Sequence, residues 1–239
     1  MKILKKIYYK KYSKISYSLS GVDLIIDRMF SKVKKGIYID LGCNHPIKHN
    51  NTYLLHKRGW KGINIDADKE SIKEFNSLRK KDYNVNALIT SKDGEQKDFY
   101  FYHNRSAINT VSKKLVNSRI KKPKITKKIT GSSLNTIIDN SPFKNEKINL
   151  LSIDIENYEY EVLRDFDFDK YKIEVIVTEI TNLNMPKLEI FNNSLENITS
   201  SQIYKLLTKK NFKLINWINS DLIFVNTDIN LSFYFDNKT

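Results

Sequence analysis

The chain has 239 residues, 40% hydrophobic and 28% charged, with 12% aromatics and a formal net charge of +14. That is enough apolar material to bury the core of one large domain, and it excludes a disordered chain. Only 7 Gly and 4 Pro exclude a collagen-like or low-complexity architecture, and one cysteine with 4 His excludes a disulfide framework, a multi-cysteine zinc site and a His-rich metal centre.

No apolar run reaches the roughly 20 residues of a membrane-spanning helix. The basic start, MKILKKIYYKKYSKISYSLS, has neither an apolar core nor a small-residue cleavage site, so it does not read as a secretory signal. The expectation is a soluble, cytoplasmic protein. The positive charge has two readings. One is an anionic membrane or nucleic-acid partner; the other is lysine usage that follows from an AT-rich genome, since Lys, Asn, Ile and Tyr are all abundant. Two denser clusters stand out, Lys2 to Lys14 and Lys113 to Lys128.

In chain order, residues 1–33 read as a basic N-terminal helical arm, with Leu24, Ile25, Ile26, Met29 and Phe30 forming an apolar helix face, and 34–239 as the domain. IYIDLG is a compact buried strand, TYLLHKRGW a helix stopping at Gly59, and GINID (62–66) a second strand. KESIKEFNSLRKK is an amphipathic helix, YNVNALIT (83–90) a third strand and KDFYFYHN (97–104) a further one. Residues 105–131 are polar and basic and read as a mobile loop. SSLNTIIDN is a short helix capped by Ser132 or Ser133. INLLSIDIE (148–156) and IEVIVTEI (173–180) are buried strands, SSQIYKLLTKKN a late helix, and KLINWIN with DLIFVN an antiparallel hairpin. Strands alternating with helices imply a parallel sheet with helices on both faces. A closing antiparallel hairpin points to the Rossmann-like class I methyltransferase fold, an α/β fold with a mostly parallel seven-stranded sheet.

In doubly wound sheets, ligands bind beyond the carboxyl ends of the strands. Asp40 and Gly42 end the first strand, with Gly42 read as a place where backbone passes close to a ligand. A dinucleotide would want a glycine triplet there; one glycine followed by Pro46 suits a cofactor without phosphates and with positive charge. S-adenosylmethionine, with its sulfonium and ammonium, fits that description. Asp66, ending the second strand, is placed to accept both hydroxyls of a ribose.

GIYIDLGCNHPIKHNNTYLLHKRGWKGINIDAD resembles the FkbM-type methyltransferase signature through Gly36 to Gly42, Asn51-Thr52, Gly59-Trp60-Lys61-Gly62-Ile63 and Asp66. LLSIDIENYEYEVLRDFDF resembles the second motif through Asp154, Glu156, Glu159, Val162 and Leu163, and Glu179 supplies the acid ending the next strand. The similarity runs from about residue 18 to 227, with two departures. Asn157 replaces the glycine after the second motif's glutamate; Asn tolerates the left-handed geometry that glycine would supply. Upstream, Val22 stands where the family has an acid, with Asp23 retained. The resemblance implies an S-adenosylmethionine-dependent O-methyltransferase, often acting on a sugar of a surface polysaccharide or a secondary metabolite. Carried onto this chain, the cofactor-binding set is Asp40, Gly42, Asn44, Asn51, Thr52, Asp66, Ala67, Asn86, Ala87 and Asp154.

On the acceptor side, Asp154, Glu156 and Glu179 have three readings: ligands of Mg²⁺ or Mn²⁺, a general base on a hydroxyl, or helix caps paired with lysines. His45 and His49, in the loop after the cofactor turn, are alternative proton acceptors or merely loop residues. Cys43 reads as a small buried side chain. Nucleic acid is not the expected acceptor: the fourth strand ends Asp154-Ile155-Glu156-Asn157, not in the Pro-Pro-aromatic turn of exocyclic-amine methyltransferases. The expected partner is a sugar or glycan acceptor, nucleotide- or lipid-linked, reached through a cationic flap over 105–131, with Lys2 to Lys14 as a peripheral contact to the inner membrane face. The rival reading is a non-catalytic binding module on the same fold, tethered to anionic membrane or nucleic acid by the basic clusters.

Overall fold

The computed structural model describes residues 13–180 and 194–228. A seven-stranded sheet forms the centre. Its strands are β1 (Ile37–Leu41), β2 (Lys61–Asp66), β3 (Tyr83–Asn86), β6 (Ile148–Ile153), β7 (Val175–Glu179), β8 (Phe212–Ile218) and β9 (Asp221–Asn226), in the order β3-β2-β1-β6-β7-β9-β8. The first five are mutually parallel; β9 runs antiparallel to β7 and pairs with β8 through the turn at Asn219-Ser220. A separate ribbon pairs β4 (Gln96–Phe101) with β5 (Ile125–Thr130).

The central strands carry apolar residues on both faces, so each face needs a cover. On one face Ile39, Leu41, Ile65, Leu151 and Ile153 pack with α5 (Leu134–Asp139), α6 (Glu159–Arg164), α7 (Leu195–Ser200) and α8 (Gln202–Lys209). On the other, Tyr38, Leu150, Val175, Val177 and Ile223 pack with α1 (Val22–Met29) and with Leu55 of α2 (Tyr53–Lys57). Two further helices are α3 (Lys69–Leu78) and α4 (Lys113–Ser118). Ser133, not Ser132, caps α5 by accepting from the Thr136 amide.

Helix α1 lies on the arm side of the expected boundary at residue 33, yet its Val22, Ile26 and Met29 are buried in the same core as β1. Asp23, wholly buried, organises the chain before it by accepting from the Ser16 hydroxyl (2.6 Å), the Tyr17 amide (2.7 Å) and the Ser18 hydroxyl (3.1 Å). Residues 13–20 are not helical, and the lysines from Lys2 to Lys11 lie outside the described residues. The expected third strand is shorter than YNVNALIT, because after Asn86 only Ile89 makes an isolated bridge, to Ser132.

Residues 105–131 do not form the expected loop. They hold α4 and β5, and β5 is paired along its whole length with the aromatic β4. Lysine-rich composition hid a strand whose partner supplies the apolar side: Phe99 and Phe101 stack edge-on at 4.6 Å, and the Lys127 ammonium lies 5.0 Å from the Phe101 ring centre.

Candidate active site

Sheet register sets the site. Leu41 is level with Ile65 and Ile153, Ile153 with Thr178, and Glu179 with Asp221. One residue beyond these pairs, five neighbouring strands present Asp66, Gly42, Asp154, Glu179 and Asp221 in a row at one edge of the sheet. All five line a cavity of about 240 Å³, on the scale of a small-molecule site. Among the described residues, its walls carry the carboxylates Asp66, Asp154, Glu156, Glu179 and Asp221 and no Lys or Arg, although the chain as a whole is strongly basic.

Gly42 has φ +80°, and a Cβ there would collide with the Asp154 carbonyl. The close approach that demands glycine is thus made by the chain's own β6 end, not by a ligand as the sequence suggested. Asp66 accepts from the Asn44 amide (2.9 Å) and the Asp68 amide (2.7 Å). Burial still outweighs those bonds and raises its pKa to about 6.

Asp154 opens onto solvent in the cavity yet is set at its floor among protein. Loss of bulk water there, with Glu179, Glu156 and Glu159 nearby, raises its pKa well above the usual carboxylate range. Neither Asp154 nor Glu179 has a side-chain hydrogen bond among the described residues. Glu156 differs: its Oε2 pairs with Arg119, and its carbonyl accepts from the Thr110 hydroxyl at 2.8 Å. The chain turns here through two left-handed residues, Glu156 (φ 58°) and Asn157 (φ 70°). The asparagine thus adopts the geometry that the family's glycine would.

The metal reading is corrected by this arrangement. Among the described residues no three His, Cys, Asp or Glu side chains are grouped so that they could hold a metal ion. Glu156 is drawn off towards Arg119, so Asp154, Glu156 and Glu179 share a cavity without converging on one point.

Several residues expected at the cofactor lie elsewhere. Asp40 and Thr52 are buried and do not line the cavity. Asp40 accepts from the Asn50 amide group and the Thr52 hydroxyl, both at 2.8 Å. Behind them the wholly buried Arg79 donates to the Thr52 hydroxyl (2.8 Å), the Asn50 side-chain carbonyl (2.7 Å) and the Pro46 carbonyl. This network fixes the loop after β1, and the loop presents Asn44, His49 and Asn51 to the cavity. Asn51 also reaches the Ser152 hydroxyl at 3.2 Å. His45 faces away from the cavity: its Nδ1 accepts from the amides of Ile47 and Lys48 at 3.0 Å, and burial lowers its pKa. Asn86 is exposed and donates to the Asp66 carbonyl (2.9 Å), whereas Ala67 and Ala87 line the cavity. Cys43 is buried and free, and burial pushes its thiol up.

Other residues at the cavity were missed. Ser20, Asn219, Ser220 and Asp221 close its end, and the Ser20 hydroxyl donates to Asp221 at 2.5 Å. Burial raises Asp221 to about 6. One signal was available: the second strand of the antiparallel hairpin begins with an acid, and pairing that strand to β7 sets the acid opposite Glu179. Ser106 to Asn109 also line the cavity. The lysines of the expected flap do not: Lys121, Lys122, Lys127 and Lys128 are exposed on or beside β5.

A cleft lined by five carboxylates, with no Lys or Arg among the described residues, at the carboxyl edge of a mostly parallel sheet favours a positively charged ligand. A search of curated proteins finds no match. Residues 40–214, well over half of the chain, match the Methyltransferase FkbM domain and span the strand row from Gly42 to Glu179. The chain therefore belongs to the FkbM methyltransferase family.

Proposed function

We propose that the protein is an S-adenosylmethionine-dependent O-methyltransferase whose acceptor is a sugar hydroxyl of a bacterial surface glycan or its precursor. The observation that carries this reading is the row of carboxylates lining the cavity, in a chain of this family. The donor set fits the cofactor. Asp66 keeps lone pairs free for the two ribose hydroxyls, and Ala67, Ala87 and Leu88 offer an apolar wall for the adenine. Asp154 lies in the same row, where a bound sulfonium and ammonium would favour its ionised form and pair with it.

When bound, the sulfonium would supply an electrophilic methyl group for the acceptor oxygen, with the thioether as its leaving group. In-line positioning supplies much of the acceleration for such a transfer. The chain's own residues hold the two reactants and take the hydroxyl proton. Of the expected proton acceptors, Glu156 is engaged by Arg119 and His45 by its own loop. Asp154, Glu179 and His49 remain at the cavity to take the proton. Because carboxylates line the cavity, the phosphate of any nucleotide or lipid carrier is expected outside it.

Calorimetry with S-adenosylmethionine and S-adenosylhomocysteine tests the cofactor, and mass spectrometry of the cell's glycans with and without the protein tests the acceptor. Saturable binding and the loss of one methyl from a glycan are expected. Absence of binding would favour the rival binding module on the same fold.

A further inference from the structure

We propose that Glu159, which lines no part of the cavity, is a positioning residue: its carboxyl clamps the turn from Asp154 to Asn157 in the conformation that sends Asp154 into the cavity and Glu156 to Arg119. Glu159 is 3% exposed. Its Oε1 accepts from the Ile155 amide at 2.8 Å and from the Asn157 amide at 3.2 Å. Those two amides flank Glu156, and both Glu156 and Asn157 hold left-handed backbone that side chains other than glycine adopt at a cost. The turn's outer side is held separately, by the Thr110 hydroxyl on the Glu156 carbonyl, by Arg119 on the Glu156 carboxylate, and by the Asn157 side chain donating to Ser112 at 3.3 Å. Glu159 is the inner clamp, and it holds the turn by its backbone.

Both bonds end on the same oxygen. One carbonyl-type oxygen therefore suffices, and the role asks for geometry and not for charge. Burial raises Glu159 to about 8, so at neutral pH the side chain is largely the neutral acid, with Oε1 as its carbonyl. A glutamine places an equivalent oxygen at the same point. An aspartate, one methylene shorter, cannot reach both amides.

The effect on ligand binding rests on the proposed cofactor, whereas the clamp itself does not, so two readouts on the full chain separate them. Amide hydrogen exchange reports protection at Ile155 and Asn157, and calorimetry reports affinity for S-adenosylmethionine. In Glu159→Gln we expect protection and affinity as in the wild type. In Glu159→Ala and Glu159→Asp we expect both amides to lose protection while the sheet amides keep theirs, and the dissociation constant to rise by about tenfold or more. If the alanine variant does not fold, the contrast between Gln and Asp carries the test. Wild-type behaviour of Asp together with failure of Gln would show that charge matters and not the acceptor position, and would overturn the proposal. Unchanged exchange in both Ala and Asp, or lost protection with undiminished affinity, would overturn it as well. If the wild type binds no S-adenosylmethionine, the functional reading fails and exchange alone decides the clamp.

Discussion

The carbonyl of Asp154 fills the space that a side chain on Gly42 would occupy. The turn after β1 and the turn after β6 are therefore packed backbone to backbone, with the Asp154 amide donating to the Leu41 carbonyl at 3.0 Å. A change at one displaces the other.

Gly42→Ala tests this coupling. Left-handed backbone alone costs an alanine roughly 1–2 kcal/mol. Gly59 and Gly94 have φ of +89° and +77°, and an alanine methyl at either would meet nothing within 4 Å, so alanine there measures that cost by itself. We expect Gly42→Ala to lower the melting temperature clearly more than either control and to abolish S-adenosylmethionine binding, which both controls retain. Equal melting temperatures in all three variants would refute the packing argument.

Asp66 carries the second prediction. Each hydrogen bond to a charged acceptor is worth roughly 1.5–3 kcal/mol, so Asp66→Ala should weaken S-adenosylmethionine by at least about tenfold. The wild-type carboxyl titrates near 6. Below that pH it is protonated and neutral, and both its attraction for a cation and part of its accepting capacity are lost. Calorimetry at pH 5 and pH 7.5 should show weaker binding at the lower pH, with the difference reduced in Asp66→Asn. Identical affinity at the two pH values would remove Asp66 from the ribose site.

The fold and the cavity were legible to different depths. Strand ends such as Asp66, Asp154 and Glu179 could be read because a buried parallel strand is a short apolar run with a sharp polar stop. Which face a residue takes could not: β1 is apolar on both faces, so no alternation separates Asp40 from the cavity lining. Asp40 is held the other way by Asn50 and Thr52, which are fixed in turn by a residue far along the chain, Arg79, whose burial nothing local announces. Residues 105–131 look unstructured because β5 takes its apolar support from β4. Asp221 was hidden for a third reason, since its place beside Glu179 follows only from hairpin register.

Arg79 supplies the third prediction. It is wholly buried and joins Pro46, Asn50 and Thr52 while facing the Asp40 carboxylate. Removing one member of a buried charged group costs about 3–5 kcal/mol, because the other charge is left uncompensated. Arg79→Met should therefore be severely destabilising in urea unfolding. Pairing it with Asp40→Asn should recover part of the loss. A double variant no more stable than Arg79→Met would show that Arg79 acts through the Pro46 and Asn50 bonds alone.

The basic segment gives a contrast between two kinds of cation. Lys121, Lys122, Lys127 and Lys128 are exposed and off the cavity, so changing all four to Glu should leave S-adenosylmethionine affinity within about twofold at physiological salt, where the Debye length is about 8 Å. Arg119 touches the acceptor-side turn through Glu156. Arg119→Ala should free that carboxylate to the cavity and change methyl-transfer kinetics while the four-lysine variant does not. Equal effects from both would mean long-range charge is at work and not the Arg119 contact.

The carboxylate row also predicts how stability varies with pH. Asp66 and Asp221 each titrate near 6 in the folded chain, against a reference of 3.8, and burial is the main cause for both. A raised carboxyl pKa means that the folded state binds more protons than the unfolded chain between about pH 4 and 6. Stability must then fall as pH rises through that window, by up to about 3 kcal/mol for each group, since one pKa unit is about 1.4 kcal/mol. Glu159, raised to about 8, extends the fall towards alkaline pH. Below pH 4 the trend reverses as the paired carboxylates Asp139 and Asp165, both held low by cationic partners, become protonated. Melting temperatures should therefore peak near pH 4 and decline by pH 8. Asp221→Asn keeps an oxygen for the Ser20 hydroxyl while removing the charge opposite Glu179. It should melt several degrees above the wild type at pH 8 and only about half as far above it at pH 5. A melting temperature that climbs from pH 5 to pH 8, or an Asp221→Asn gain of the same size at both, would show that these acids are not strained by their burial.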